Sequence, residues 1–328
     1  MTPFLLLKNV NKSFPVHRSL FSKSNHIRKV IDNISLEVGA GEVMVLAGES
    51  GSGKTTLAKL IMGSLTPDDG TIYFEGNDIQ VLKKKKKFYS LIQMIHQDPY
   101  SSLNPHLKVK DIVMEPLKIH DKESSKEEKI EKVRIALRRT KLEPVDEYLD
   151  KYPTMLSGGQ RQRVSIARAI VQIPKLIIAD EPVSMLDISV RAEILSLLND
   201  LRKSLNISII YITHDLATSR FIGDKLGIMF AGNIVEYGDI DEVLHNPLHP
   251  YTWMLLDAVT FTSNESKFYK TFSDPNISAA ALPLKGCKFY NRCKLSFDDC
   301  THDIQQFNIN NEHAVSCFYY KNMVTNLN

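Results

Sequence analysis

The sequence predicts an α/β protein with a mixed β-sheet, interrupted by a helical insert and followed by a small loop-rich segment that carries all of its cysteines. Three observations lead there. Short apolar runs of strand length alternate with longer segments of helical periodicity. A glycine-rich loop follows one of those runs and opens a helical stretch, and Cys287, Cys293, Cys300 and Cys317 all lie near the C-terminal end of a 328-residue chain. That length accommodates one large domain with an appendage, or two domains.

Taken in order, residues 4–10, 30–38 and 43–47 are apolar runs separated by turn residues and read as strands, the last running into Gly48. Residues 71–74, bounded by Gly70 and Gly76-Asn77-Asp78, give a further short strand. Between about residues 88 and 158 the texture changes. Ile130, Val133 and Leu137 stand at helical spacing among Glu and Lys, which predicts a helical insert. Strand-like runs return at 176–179 and 207–213, each after a helical segment, the rhythm of a parallel sheet with crossover helices. Residues 1–245 are expected to form the α/β domain and 246–328 an appended one. Five consecutive lysines, 83–87, read as a solvated loop because no second basic cluster supports them.

Composition excludes several classes. The 41 basic and 38 acidic residues leave a formal charge of +3, too little to create a field that favours nucleic acid. A content of 43% hydrophobic and 24% charged residues is that of an ordinary globular protein. No uncharged apolar run reaches the roughly 18 residues of a membrane span, and the run at 4–7 is too short for a signal-peptide core, so any membrane role is expected to be peripheral.

Gly48-Glu49-Ser50-Gly51-Ser52-Gly53-Lys54-Thr55 fits the phosphate-loop pattern G-x-x-x-x-G-K-[ST], and Thr56 follows it into the helix. Glycines allow backbone N–H groups to point at phosphate oxygens, Lys54 would reach the β- and γ-phosphates of ATP, and Thr55 would ligate Mg²⁺. Residues 176–181 form an apolar run ending in Asp180 and Glu181, as expected if a buried strand delivers two carboxylates beside the nucleotide. Asp180 would hold Mg²⁺ through water, and Glu181 would polarise the attacking water. Leu156-Ser157-Gly158-Gly159-Gln160 precedes a run with Val164, Ile166, Ala167 and Ile170, a loop at a helix N-terminus and a second candidate anion site.

A phosphate loop, an LSGGQ string and an apolar-Asp-Glu strand in this order and spacing resemble the ABC ATPase family, over about residues 5–238. The resemblance implies further roles. Gln97 matches the family's Q-loop residue, which implies a catalytic role with contact to Mg²⁺ and, together with the helical insert, a relay of closure to the membrane subunits. Ser184-Met-Leu-Asp187 matches the D-loop, with Met185 where a smaller residue is usual, and His214 matches the switch histidine. Phe14 is placed like the family's adenine-stacking aromatic; core packing is the alternative use of its ring, and Phe21 is the competing aromatic. The family pattern implies a head-to-tail pair of ATPase subunits, identical or paralogous, with Ser157, Gly158, Gly159 and Gln160 of one facing the phosphate loop of the other.

A narrower resemblance rests on His96-Gln-Asp-Pro-Tyr-Ser-Ser-Leu-Asn-Pro105 and Asn246-Pro-Leu-His-Pro-Tyr-Thr252, which are similar to strings of oligopeptide, dipeptide and nickel importer ATPases. It implies two transmembrane permease subunits, an extracellular substrate-binding protein reached indirectly, no nucleic acid, and a place on the cytoplasmic face of the membrane. Import of nickel or another small solute, or a soluble non-transport ATPase, are the alternatives. The four cysteines are expected to hold one metal centre. Gaps of five, six and sixteen residues lack the tight C-x₂-C knuckles of structural zinc sites, which puts a 4Fe-4S cluster ahead of Zn²⁺. The cysteine segment is also similar to that importer branch, whose ATPases carry such a cluster. Four buried, unliganded thiols are the plain alternative.

Overall fold

The structure is a computed structural model that describes residues 3–16, 26–85, 87–260, 283, 285–304, 306–310 and 313–321. Its strands are β1 (Leu5–Val16), β2 (His26–Val38), β3 (Val43–Ala47), β4 (Asp69–Phe74), β5 (Asn77–Asp78), β6 (Ile92–Ile95), β7 (Leu176–Asp180), β8 (Ser208–Thr213), β9 (Lys225–Phe230), β10 (Asn233–Asp239), β11 (Phe307–Asn308) and β12 (His313–Val315). They form two sheets. An antiparallel sheet runs β2-β1-β4-β5, and a larger one runs β11-β12-β10-β9-β3-β8-β7-β6.

In the larger sheet β9, β3, β8, β7 and β6 are parallel neighbours, whereas β10, β12 and β11 extend it antiparallel. Every residue of β3, β7 and β8 is buried, as a parallel sheet covered on both faces requires. Alternation then divides the core. Val43, Val45, Ile177, Ala179, Ile209 and Tyr211 pack on one face against the helical insert. On the other face Met44, Leu46, Leu176, Ile178, Ile210 and Ile212 meet the helix Lys54–Ile61 and the antiparallel sheet. The expected α/β architecture with a mixed sheet is present.

The insert region differs in one respect from the sequence expectation. Residues 92–95 are not helical but form β6, the parallel edge strand beside β7. Four residues with only two buried positions carry too little periodicity to stand out. The helices proper are Val109–His120, Lys126–Arg139, Val145–Leu149 and Gly158–Ile170. Strands β9 and β10 are likewise not among the strands that the sequence predicts. Lysines 83, 84, 85 and 87 lie at the surface beside short helices, and Lys86 and Phe21 fall outside the described residues. No helix among the described residues is long and apolar enough to cross a membrane.

Candidate nucleotide site

Strand β3 ends at Ala47, and residues 48–53 turn the chain into the helix Lys54–Ile61. Gly48 has φ of 150°, and a Cβ there would lie 2.1 Å from the carbonyl oxygen of Met229 in β9. Only glycine fits this approach of loop to sheet. The Lys54 ammonium folds back into the loop, donating to the carbonyl oxygens of Gly48 at 2.7 Å and Glu49 at 2.9 Å and to Ser52 Oγ at 3.3 Å. Burial lowers its pKa, against the opposing pull of Glu181, Asp180 and Glu49.

Strand β7 delivers the two carboxylates. Asp180 is 8% exposed; its pKa is raised by burial, which outweighs the hydrogen bond that Thr55 Oγ1 donates to its Oδ2 at 3.1 Å. Glu181, one residue beyond the strand, has φ of 46° while its N–H stays bonded to Ile212 in β8. A left-handed conformation at a non-glycine residue stores strain of about 1–3 kcal/mol and is concentrated at functional sites. Both oxygens of its carboxylate are engaged. Gln97 Nε2 donates to Oε2 at 2.8 Å, and His214 Nδ1 lies 3.0 Å from Oε1. Gln97 and His214, each just beyond the C-terminal end of a parallel strand, thus converge on the one carboxylate of Glu181, itself just beyond a third.

Ser157 caps the helix Gly158–Ile170 with a reciprocal box: its Oγ accepts from Gln160 N, and Gln160 Oε1 accepts from Ser157 N at 3.0 Å. Gln160 also reaches Tyr148, and Gly158 packs near Leu186 and Tyr100. A Cβ on Gly159 would meet Val190 at 2.7 Å, so this glycine lets the helix Ile188–Leu205, which follows the D-loop, lie against the cap. In the D-loop, Ser184 Oγ donates to the Glu181 carbonyl, and Met185 and Ile188 are 56% and 84% exposed. Phe14 sits on β1 opposite Arg28 with the Lys12 ammonium 5.6 Å from its ring centre, and it is half-buried rather than part of either core. Thr56 lies half-buried in the first turn of the loop's helix.

Several contacts were not foreseen. Glu49 N–H donates to Tyr251 Oη, the Glu49 carboxylate takes a two-pronged bond from Arg292, and the Arg161 guanidinium lies 4.2 Å from the Tyr100 ring centre. Tyr100 and Tyr251 lie within the two strings that carry the narrower resemblance and Arg292 lies in the cysteine segment, but nothing in their spacing shows which partner each one meets.

The four cysteines are free thiols that line one small cavity together with His249, Pro250 and Tyr290. Cys287 N–H donates to the Cys300 carbonyl oxygen at 2.8 Å, a closure that brings Gly286, at φ of 76°, within 2.4 Å of that oxygen for any Cβ. Burial pushes the Cys287 and Cys317 thiols up to about 11 and about 12, and raises Cys293 as well. Such thiols stay protonated unless a cation replaces the proton. As the side chains stand, no three His, Cys, Asp or Glu groups among the described residues are disposed as metal ligands, so the metal expectation receives one enclosing cavity and no formed ligand cage.

Residues 31–184 match the family model "ABC transporter", and residues 235–300 match "Oligopeptide/dipeptide transporter, C-terminal region". The chain is 38% identical to the oligopeptide transport ATP-binding protein AppF of Bacillus subtilis (strain 168), over 96% of this chain and 97% of that protein. It is 36% identical to the dipeptide transport ATP-binding protein DppF of Escherichia coli (strain K12), over 96% of this chain and 94% of that protein. Among solved structures it is similar to the ATP-binding cassette MJ0796, a dimer in a post-hydrolysis state bound to ADP and Pi. The TM-score is 0.63 at 28% identity, covering 72% of this chain and 98% of that one. With the phosphate loop, the β7 carboxylates and the capped LSGGQ helix in place, and with full-length relatives at this level of identity, the chain belongs to the ABC transporter ATP-binding proteins, in the oligopeptide/dipeptide transporter branch.

Proposed function

We propose that this ABC ATPase powers uptake of oligopeptides or dipeptides through separate permease subunits, from the cytoplasmic face of the membrane. The observation that carries the mechanism is the Glu181 carboxylate, held at one oxygen by Gln97 and at the other by His214 beside the partly buried Asp180–Thr55 contact. In this reading the amides of residues 48–53 cradle the phosphates, Lys54 swings from its carbonyl ligands onto the β- and γ-phosphates, and Thr56 extends the cradle. Thr55 and Asp180 offer hard oxygen donors 3.1 Å apart, a fit for Mg²⁺, with Gln97 as a further oxygen ligand. When bound, the ion neutralises charge on the phosphate oxygens. Glu181 accepts the proton of the attacking water and His214 contacts the γ-phosphate, while Phe14 stacks on adenine.

The second half of the site comes from a partner ATPase, whose Ser157, Gly158, Gly159 and Gln160 meet the γ-phosphate. The dimeric state of the similar cassette supports that reading. Residues 1–245 then act as the ATPase domain and 246–328 as the branch-specific extension, whose four cysteines hold one metal centre. Four cysteine thiolates are the donor set that a 4Fe-4S cluster takes, with Zn²⁺ as the runner-up, and the side chains lining the cavity would have to reorient to hold either. Peptide as the transported solute rests on the names of the relatives.

The test is purification of the chain from detergent-solubilised membranes, followed by uptake of a labelled dipeptide in cells lacking it. Two multi-span proteins and an ATPase partner should co-purify, and peptide uptake should collapse. Normal peptide uptake with lost nickel uptake would reassign the solute; recovery with ribosomes or DNA would overturn the transport role.

A further inference from the structure

We propose that Arg292 is a positioning residue for ATP binding, which together with Tyr251 fixes Glu49 and so links the cysteine lobe energetically to the phosphate loop. Glu49 is the second residue of that loop, and each of its polar groups is committed. Its N–H donates to Tyr251 Oη at 2.8 Å, and its carbonyl oxygen accepts from Lys54 Nζ at 2.9 Å and from Ser52 N at 3.2 Å. The carboxylate accepts two parallel bonds from Arg292, Nη1 to Oε2 at 2.9 Å and Nη2 to Oε1 at 2.8 Å. One loop residue therefore joins the lysine that faces the phosphates to a side chain 243 positions away.

Arg292 is itself held. Its guanidinium lies 5.4 Å from the ring centre of Phe230 and 5.3 Å from that of Phe289, and Tyr251 completes a cluster with both rings. Phe230 ends β9, the strand next to β3, so the cluster is seated on the sheet edge from which the loop springs. A planar guanidinium fixed between rings is pre-organised for two-pronged carboxylate binding. Arg292 also immediately precedes Cys293, whose thiol lines the cysteine cavity. Whatever immobilises Cys293 therefore immobilises the backbone that presents the clasp. The pair is partly exposed, Arg292 at 27% and Glu49 at 40%, so solvent screening limits the link to a modest size. By reciprocity, nucleotide binding must tighten the lobe by the same factor that the lobe tightens nucleotide binding.

The inference rests on reading residues 48–55 as the phosphate loop, and Lys54→Ala tests that reading separately. The measurement is titration of the purified full-length chain with a fluorescent ATP analogue and Mg²⁺, with hydrogen exchange followed over residues 287–300. Arg292→Ala and Glu49→Gln should each weaken binding about five-fold, and the double variant should be no worse than the weaker single one. Arg292→Lys should recover part of the loss, because an ammonium cannot make two parallel bonds. KM should move more than kcat. Nucleotide should slow exchange in residues 287–300 of the wild type and not of Arg292→Ala. Glu49→Gln is nearly isosteric at a partly exposed position, so it decides the matter if Arg292→Ala fails to fold. Tight binding by Lys54→Ala would sink the loop reading. Loss in Lys54→Ala with wild-type affinity in Glu49→Gln, or fully additive single losses, would overturn the clasp alone.

Discussion

At the corner of the candidate nucleotide site Asp180, Glu181 and His214 hang from the ends of fully buried parallel strands, whereas in the cysteine lobe the thiols hang from turns and single-turn helices. Asp180 ends β7, and Glu181 and His214 directly follow β7 and β8, in which every residue is buried. Around the cysteines the regular elements are Tyr290–Arg292, Asp298–Thr301 and Phe318–Tyr320, with strands of two and three residues. The lobe leans instead on a few buried polar anchors. Glu236, with no exposure, accepts from Leu248 N, His249 N, Thr252 Oγ1 and His313 Nε2, and so ties β10 to β12 and to the start of the helix Pro250–Thr260. The corner is pre-organised by hydrophobic burial before any ligand arrives. The lobe has little apolar core to do the same, which is the situation in which metal binding contributes to folding.

The largest expected effect tests the first half of that contrast. If strand burial sets the corner's geometry, Glu181→Gln should leave ATP binding intact, because the amide is nearly isosteric, while turnover falls by about 10² to 10⁴ as the general base is lost. Single-turnover hydrolysis alongside nucleotide titration measures both. A variant that hydrolyses ATP at the wild-type rate would move the base to His214 or Gln97. Next in size, Ser157→Arg should preserve binding to the isolated subunit but reduce hydrolysis by about 10², by blocking the face that completes a partner's site. Equal loss of nucleotide affinity in Ser157→Arg and Lys54→Ala would contradict the two-subunit site.

Legibility followed the same divide. The loop 48–55, the Asp180-Glu181 pair and the LSGGQ helix start were readable because each joins a local pattern to an adjacent strand or helix signal. Convergence of Gln97 and His214 on Glu181 was available only through the family resemblance, since no local pattern encodes a contact across 84 residues. Strand β6 was hidden by its length, and β10 by Glu236, a charged residue inside a strand whose buried partners come from 12 to 77 positions away. In the lobe the clustering of the cysteines is legible in the sequence but the Arg292–Glu49 contact is not, because long-range polar pairing leaves no periodicity.

The third prediction presses on the lobe. If a metal substitutes for the missing core, anaerobic purification should give a brown protein absorbing near about 400 nm, and Cys300→Ser should lower retained metal at least about ten-fold while the lobe becomes open to protease. Stoichiometric zinc without iron would select the runner-up. A metal-free wild-type lobe that resists protease as well as Cys300→Ser does would leave four buried thiols and erase this side of the contrast.

The smallest effect comes from a motif that occurs twice among the described residues. Ser125-Lys-Glu-Glu128 and Ser157-Gly-Gly-Gln160 both form reciprocal capping boxes. In the first, Ser125 Oγ accepts from Glu128 N at 3.1 Å and Glu128 Oε2 accepts from Ser125 N at 2.6 Å. Local chemistry is therefore nearly the same, and what differs is the surroundings. The Ser125 box opens Lys126–Arg139, whose first turn carries Glu127 and Glu128 and so already complements the positive end of the helix. The Ser157 box has no acid in its first turn and two glycines there, so no acidic side chain offsets the positive end of that helix. An anion is favoured at the second cap and disfavoured at the first. Ser125→Ala should then cost about 1 kcal/mol of stability, seen as a small drop in Tm, with hydrolysis unchanged at temperatures below the transition. Ser157→Ala should cost a similar amount of stability and, in addition, lower hydrolysis in the assembled transporter. If the two alanine variants hydrolysed ATP equally well, the Ser157 box would be a structural cap like its twin, and the partner half of the nucleotide site would have to be sought elsewhere on the surface.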